Sequence, residues 1–248
     1  MEIMPKSWNK ETKPHLFCPG CGHAIALKHL GNIIDEMGIQ KNMTIGIDIG
    51  CSLLAWNFFD IDTVQTHHGR TTPTMVGYKK VKPERIALAY SGDGGAYAIG
   101  LQSILHAAFR NEPVTVIVIN NENYAMTGGQ MSPETIPGTV TTTTPLGKPE
   151  SFGPGLKGPE LVRNIANPKA YVARVSMSNP IKMEAAFKKA IENQINNNSF
   201  SFVEVLSICP TNWKTDAKNS FERLKMMESY YPLQEFVDNK TENEVKND

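Results

Sequence analysis

Two apolar runs, each with a short polar or glycine-rich motif at its end, decide the fold: Arg85-Ile-Ala-Leu-Ala-Tyr90 before Gly92-Asp93-Gly94-Gly95, and Pro113-Val-Thr-Val-Ile-Val-Ile119 before Asn120-Asn121. Both runs have strand length. The second is nearly unbroken in β-branched residues, as in a strand buried on both faces. Between them, Ala98 to Arg110 reads as a helix. Twenty-five residues separate Gly94 from Asn120, which is room for one right-handed helical crossover and a strand. Asp93 and Asn121 are therefore expected at the carboxyl ends of two parallel strands, the rim where open α/β sheets bind ligands.

The same alternation extends outward. Ala24, Ile25, Leu27, Leu30, Ile33, Ile34 and Met37 fall at helical spacing, and Gly38 supplies a stop. Met43-Thr-Ile-Gly-Ile-Asp-Ile49 reads as a strand, followed by a short helix over 53–59. Tyr171–Val175 and Ser201–Leu206 read as strands, with a helix from Ile181 to Asn196 between them. The expected fold class is α/β, a mostly parallel sheet with helices on both faces. One domain is expected over 1–248, with an irregular arm over 1–16 leading into Cys18-x-x-Cys21. The charged tail, about 216–248, is expected to be peripheral, its last ten residues carrying little to bury. Residues 121–160 are rich in Gly, Pro and Thr, the composition of a functional or mobile segment.

Composition narrows the function. The chain has 248 residues, 40% of them hydrophobic and 20% charged, which excludes general disorder. Lys+Arg and Asp+Glu are 25 each, a balance that argues against a nucleic-acid binder. No apolar run is long enough to span a bilayer, and the first residues lack an apolar signal core. No membrane association is expected, and a cytoplasmic location is.

Asp93 and Asn121 offer a carboxylate and an amide oxygen, donors that suit a hard cation such as Mg²⁺. Gly92, Gly94 and Gly95 let the backbone approach a phosphate, and the helix after them starts with free N–H groups. A plain Gly-Asp-Gly turn is the competing account, and the asparagine pair after the next strand argues against it. The four cysteines are Cys18, Cys21, Cys51 and Cys209. Cys18 and Cys21 share one turn. Cys51 follows the strand 43–49 and Cys209 the strand 201–206, so parallel strands bring both to the edge that bears Asp93 and Asn121. Four thiolates suit a [4Fe–4S] cluster and equally a zinc site. Cys51 and Cys209 could also be small buried hydrophobes. Spacing leaves these alternatives open.

Gly92-Asp93-Gly94 followed by Asn120-Asn121 is similar to the motif of thiamine diphosphate (TPP) enzymes. That resemblance implies Mg²⁺ held by side-chain oxygens of Asp93 and Asn121 and by the backbone carbonyl of Asn123. Phe17-Cys18-Pro19-Gly20-Cys21-Gly22-His23, Gly50-Cys51-Ser52, His68-Gly69-Arg70, Tyr124-Ala-Met-Thr-Gly-Gly-Gln130 and Cys209-Pro210 resemble the β-subunit signature of 2-oxoacid:ferredoxin oxidoreductases. Together they span most of residues 16–215. The resemblance implies a [4Fe–4S] cluster on Cys18, Cys21, Cys51 and Cys209. A carbanion-forming cofactor beside an electron acceptor makes a coherent oxidase, in which zinc has no role. It also implies TPP contacts from Ile49, Gly50, Cys51, Ser52, His68, Gly92, Gly94, Gly95, Ala125 and Met126.

His68 and Arg70 are the candidate catalytic side chains, as donors to the diphosphate or to a substrate carboxylate; a solvated arginine is the plainer account of Arg70. His23 is expected to be structural, and Trp56, Phe58 and Phe59 to be core. The family usually has Trp at Phe17, often Asp at Asn120, and Gly at Ala125, whose extra Cβ bears on the tightness of that turn. The implied reaction is oxidative decarboxylation of a 2-oxoacid with coenzyme A to acyl-CoA and CO₂, with electrons passed to ferredoxin. No glutamate here matches the pyrimidine-binding motif that TPP chemistry needs. An α-type subunit is expected to supply it, with γ and δ subunits as further partners. Cys51-Ser-Leu-Leu-Ala-Trp-Asn-Phe-Phe59 is nearer to 2-oxoisovalerate or 2-oxoglutarate members than to pyruvate or arylpyruvate ones. The alternative is a non-redox TPP-dependent decarboxylase or synthase subunit with a structural zinc site.

Overall fold

The computed structural model describes residues 4–12 and 15–237. The helix expected from apolar spacing is α1 (Gly22–Met37). It ends where Gly38 takes φ 66° and its N–H meets the carbonyls of Asp35 and Ile34, a left-handed stop that a Cβ would penalise. Then come β1 (Met43–Ile47), a 3₁₀ turn over Cys51–Ala55 where a helix over 53–59 was expected, β2 (Asp62–Gln65) and α2 (Thr71–Val81). The deciding stretch folds as β3 (Ile86–Gly92), a π-helical turn over Gly95–Ile99, α3 (Leu101–Phe109) and β4 (Thr115–Asn120).

The next segment is mostly irregular, with a small hairpin of β5 (Asn123–Tyr124) and β6 (Gln130–Met131) and then α4 (Gly158–Ile165). The chain continues as β7 (Tyr171–Ser176), α5 (Pro180–Asn197) and β8 (Ser201–Leu206). It closes with α6 (Pro210–Trp213), α7 (Ala217–Tyr230) and β9 (Gln234–Val237).

Seven strands form one sheet in the order β2-β1-β3-β4-β8-β7-β9, all parallel to their neighbours except β9. Side chains alternate between its faces. Leu88, Tyr90, Ile117, Ile119, Val203 and Val205 join the core that includes α1 and α5. Ala87, Ala89, Val116, Val118 and Phe202 join the core that includes α2, α3 and α4. Alanines on β3 leave room for helices to pack close. At Gly46 any Cβ would strike Met75 of α2.

The tail differs from expectation. Leu224 and Tyr231 are fully buried and Met227 nearly so, and β9 pairs with β7. Residues 217–237 are thus part of the body rather than a peripheral appendage; the last ten residues of the chain lie outside the described residues. Trp56 also departs from the expected core, being half exposed beside buried Phe58 and Phe59. Among the described residues no helix is long and apolar enough to cross a membrane.

Candidate active site at the carboxyl rim

Because β1, β3, β4 and β8 are parallel, their carboxyl ends open on one rim. It gathers Asp48–Ser52, Gly92–Gly95, Asn120–Asn123 and Ser207–Cys209. Register fixes the arrangement: Ile47 faces Tyr90, Gly92 faces Ile119, and Asn120 faces Leu206.

At the centre, Asp93 is only 3% exposed and its Oδ2 accepts a 2.7 Å hydrogen bond from Ser132 Oγ. Burial pushes its carboxyl up to about 7, since a buried carboxylate without a countercharge is costly. The side-chain oxygens of Asn121 and Asn123 are buried and have no hydrogen-bond partner. Asn123 Nδ2 donates to the Asn121 carbonyl at 2.6 Å, and that leaves Asn123 Oδ1 free. Buried acceptors left open are rare in folded proteins. A carboxylate and two open amide oxygens are a donor set that fits Mg²⁺. The resemblance implies a further ligand from the backbone carbonyl of Asn123, in the same corner. Asn120 stands apart, its Oδ1 accepting from the Glu122 N–H.

The glycines divide. A Cβ at Gly92 or Gly50 would meet nothing within 4 Å, so both border open space. A Cβ at Gly94 would strike the Tyr124 ring, and one at Gly95 would strike Asp48. Internal packing alone therefore already requires glycine at 94 and 95. Gly100 N–H bonds the Gly95 carbonyl at 2.9 Å, the widened turn often found at functional sites.

In the β1 turn, Gly50 adopts φ 127° and Ser52 Oγ donates to the Asp48 carbonyl. His68 is half-buried at the rim with Nδ1 2.8 Å from the Ile49 carbonyl. Asp48 is fully buried; its Oδ1 accepts from the Gly69 N–H at 2.7 Å, and its Oδ2 lies 4.0 Å from His68 Nδ1. Asp48 thus holds the His68-Gly69 corner. Arg70 begins α2 with an exposed side chain, and among the described residues it forms no ion pair. The turn at Ala125 closes despite its Cβ: the Gly128 and Gly129 N–H groups bond the Ala125 and Tyr124 carbonyls at 3.2 and 2.9 Å. Met126 is exposed, 45% accessible, while Ala125 is half-buried. His23 lies in the core, stacked on Phe17 and bonded to Tyr90, with burial holding it down near 3.

The four thiols lie close enough to act on one another. Burial pushes Cys51 up to about 12 and Cys21 to about 11. The other three thiols and Asp93 contribute to that rise at Cys51, and Cys209 and Cys18 to that at Cys21. Burial, Cys18 and Asp93 also raise Cys209, which connects the thiol group to the cation corner. Among the described residues no three His, Cys, Asp or Glu side chains converge on a single ion.

Sequence reasoning missed Asp48, Ser132, Glu122, Glu134 and Asn212. Glu122 is buried at φ 59° and paired with Arg223 at 3.1 Å. Glu134 is buried with both oxygens unpartnered. The one available signal was a lone Asp within the apolar run 43–49.

Comparison with known proteins agrees with this geometry. Residues 48–205, well over half the chain, match the family of the thiamine pyrophosphate enzyme C-terminal TPP binding domain. The ketoisovalerate oxidoreductase subunit VorA of Methanothermobacter thermautotrophicus is 38% identical over 96% of this chain, which spans 51% of that relative's length. The 2-oxoglutarate synthase subunit KorB of Methanocaldococcus jannaschii is 36% identical, covering 83% of this chain and 73% of the relative. The pyruvate synthase subunit PorB of Thermotoga maritima is 31% identical over 90% and 73%. A solved 2-oxoglutarate:ferredoxin oxidoreductase from Magnetococcus marinus shares the fold at TM-score 0.77 and 24% identity, covering 99% of this chain and 90% of that one. A parallel-sheet rim with a buried Asp–Asn corner, joined to relatives of this closeness, means that the chain belongs to the TPP-binding subunits of the 2-oxoacid:ferredoxin oxidoreductases.

Proposed function

We propose that this chain is the β-type subunit of a cytoplasmic complex that oxidatively decarboxylates a 2-oxoacid to acyl-CoA and CO₂, passing two electrons to ferredoxin. The observation that carries the reading is the joint presence, on one rim, of the buried Asp93 carboxyl, of open buried oxygens at Asn121 and Asn123, and of four neighbouring thiols. When bound, TPP supplies a carbanion that attacks the 2-oxo carbon, and a [4Fe–4S] cluster accepts the electrons.

The residues act by position and charge. Asp93, the Asn121 side-chain oxygen and the Asn123 backbone carbonyl would hold Mg²⁺ and, through it, the diphosphate. Asp93 ionises once the cation is present, which offsets the cost of its burial. Gly50 and Gly92 leave the space that the cofactor fills. His68 donates through Nδ1 to the Ile49 carbonyl, which leaves Nε2 of the neutral ring to accept a hydrogen bond at the rim. Cys18, Cys21, Cys51 and Cys209 each hold one iron. The free thiols of this chain suit a reducing compartment.

An α-type subunit carrying the pyrimidine-side glutamate completes the site, with γ and δ subunits as further members. Coenzyme A receives the acyl group. The preferred 2-oxoacid is 2-oxoisovalerate or 2-oxoglutarate, in line with the string Cys51–Phe59 and with relatives named for both.

The test is anaerobic purification with the partner subunit, followed by iron, sulfide, magnesium and TPP analysis and assays on four 2-oxoacids. A brown preparation absorbing near 400 nm, active only as the complex and best with one of those two substrates, is the expected outcome. A colourless zinc-loaded protein would overturn the redox reading in favour of a non-redox TPP subunit. Turnover by the isolated chain would overturn the need for a partner.

A further inference from the structure

Beyond the four thiols, one amide touches both halves of the rim. Asn212 is the third residue of α6, the turn that Cys209 opens. Its Nδ2 lies 3.5 Å from Cys209 Sγ and 2.8 Å from the Ala125 carbonyl, so the two amide hydrogens go to the two sites. The side chain is half-buried. A Cβ on Gly129, in the same loop as Ala125, would sit 3.2 Å from Asn212. The neighbouring Trp213 repeats the connection: its Nε1 donates to the Asn121 carbonyl at 3.2 Å while Arg223 stacks on its ring at 4.1 Å. A four-residue helix thus ties a thiol of one site to the backbone of the other.

We infer that Asn212 is a positioning residue that sets the reduction potential of the cluster and couples it to the 125–129 loop. The inference rests on the proposed cluster. An electron entering the cage adds one negative charge, spread over its sulfurs and the cysteine sulfurs. An N–H donor on one of those sulfurs stabilises the reduced form more than the oxidised form and raises the potential. The second N–H holds the Ala125 carbonyl, so a shift of the loop on cofactor binding reaches the donor that faces Cys209. The residue needs two donors on one planar group in a fixed fork. A carboxylate or an aliphatic side chain of the same shape cannot supply them.

The test uses the anaerobically purified complex, titrated with dithionite and followed by EPR. Asn212→Leu and Asn212→Asp keep the shape and remove the donors. Both should retain iron and sulfide, and their midpoints should shift to more negative potential than that of the wild type. Each should also bind TPP–Mg²⁺ about 2- to 10-fold more weakly, the worth of one neutral hydrogen bond. Loaded variants that titrate at the wild-type potential overturn the inference and leave the cluster reading intact. A wild-type complex without iron and sulfide overturns both. Where neither variant folds, pulsed EPR on reduced wild type labelled with ¹⁵N in asparagine side chains decides the matter. A resolved ¹⁵N coupling supports the contact to Cys209, and its absence overturns it.

Discussion

Two groups of buried charge share this sheet, and they are built in opposite ways. On β7 and β8, Arg174 is sealed from solvent between Glu204, 2.5 Å from its Nε, and Glu160, held bidentate at 2.8 and 2.6 Å. Tyr97 O–H donates to the other Glu204 oxygen, the Pro232 carbonyl accepts from Nη1, and the rings of Tyr231 and Phe236 flank the guanidinium. Its polar atoms are matched. At the β3–β4 corner the opposite holds: Asn121 Oδ1, Asn123 Oδ1, one Glu122 oxygen and both Glu134 oxygens have no partner. Burial and the Asp93 charge push Glu134 well above its ordinary range, so it is held neutral. The matched group serves the fold. The open one costs stability in the ligand-free chain, a cost that the proposed cation would offset.

Mutation can separate the two groups. Arg174→Met should leave Glu204 buried without its partner and cost roughly 3–5 kcal/mol, read as a lower urea midpoint. Adding Glu204→Leu should recover much of that loss. If the single variant is as stable as wild type, the matched group is not structural.

Asp93→Asn should act the other way. The folded-state carboxyl titrates near 7, above the 3.8 of an unfolded aspartate. The ligand-free protein therefore loses stability as pH rises from about 4 through 7, by up to roughly 4 kcal/mol. Asp93→Asn should flatten that part of the Tm–pH profile and raise the ligand-free Tm at pH 8, while removing the gain in Tm on adding Mg²⁺ and TPP.

Asn121→Ala should weaken Mg²⁺-dependent TPP binding about 10- to 100-fold by calorimetry, with little change in ligand-free stability, because the oxygen it removes has no partner to lose. Ser132→Ala, which frees Asp93 Oδ2, should weaken the same binding about 10-fold. A stability loss at Asn121 as large as that at Arg174 would erase the distinction between the two groups.

Legibility in the sequence divides along similar lines. β3, β4 and β8 were legible because apolar runs buried on both faces leave a strong pattern, and Ser201–Leu206 appears with the bounds expected of it. Edge strand β2, Asp62-Thr-Val-Gln65, has little to bury and left no signal. Helix α2 carries Pro73 and Gly77, residues that read as breakers, and is held by a buried Met75. Charge along 217–230 hid the inward stripe of Leu224 and Met227. In the candidate site, Asp93, Asn121 and the cysteines stand out in the sequence because their chemistry is uncommon at strand ends. Ser132, Asp48 and Asn212 are ordinary residue types whose role exists only through a neighbour distant in sequence, and only the folded chain shows Tyr124 and Asp48 against Gly94 and Gly95.

The antiparallel β9 carries a consequence for biosynthesis. It covers the outer edge of β7, yet the ribosome makes it after every other strand of the sheet. Until Pro232 and Phe236 have emerged, Arg174 lacks a carbonyl and a ring, and a bare strand edge faces the crowded cell. Premature termination before Gln234 would therefore yield a nascent product with an intact cofactor rim and a sticky flank, a natural substrate for chaperones and proteases.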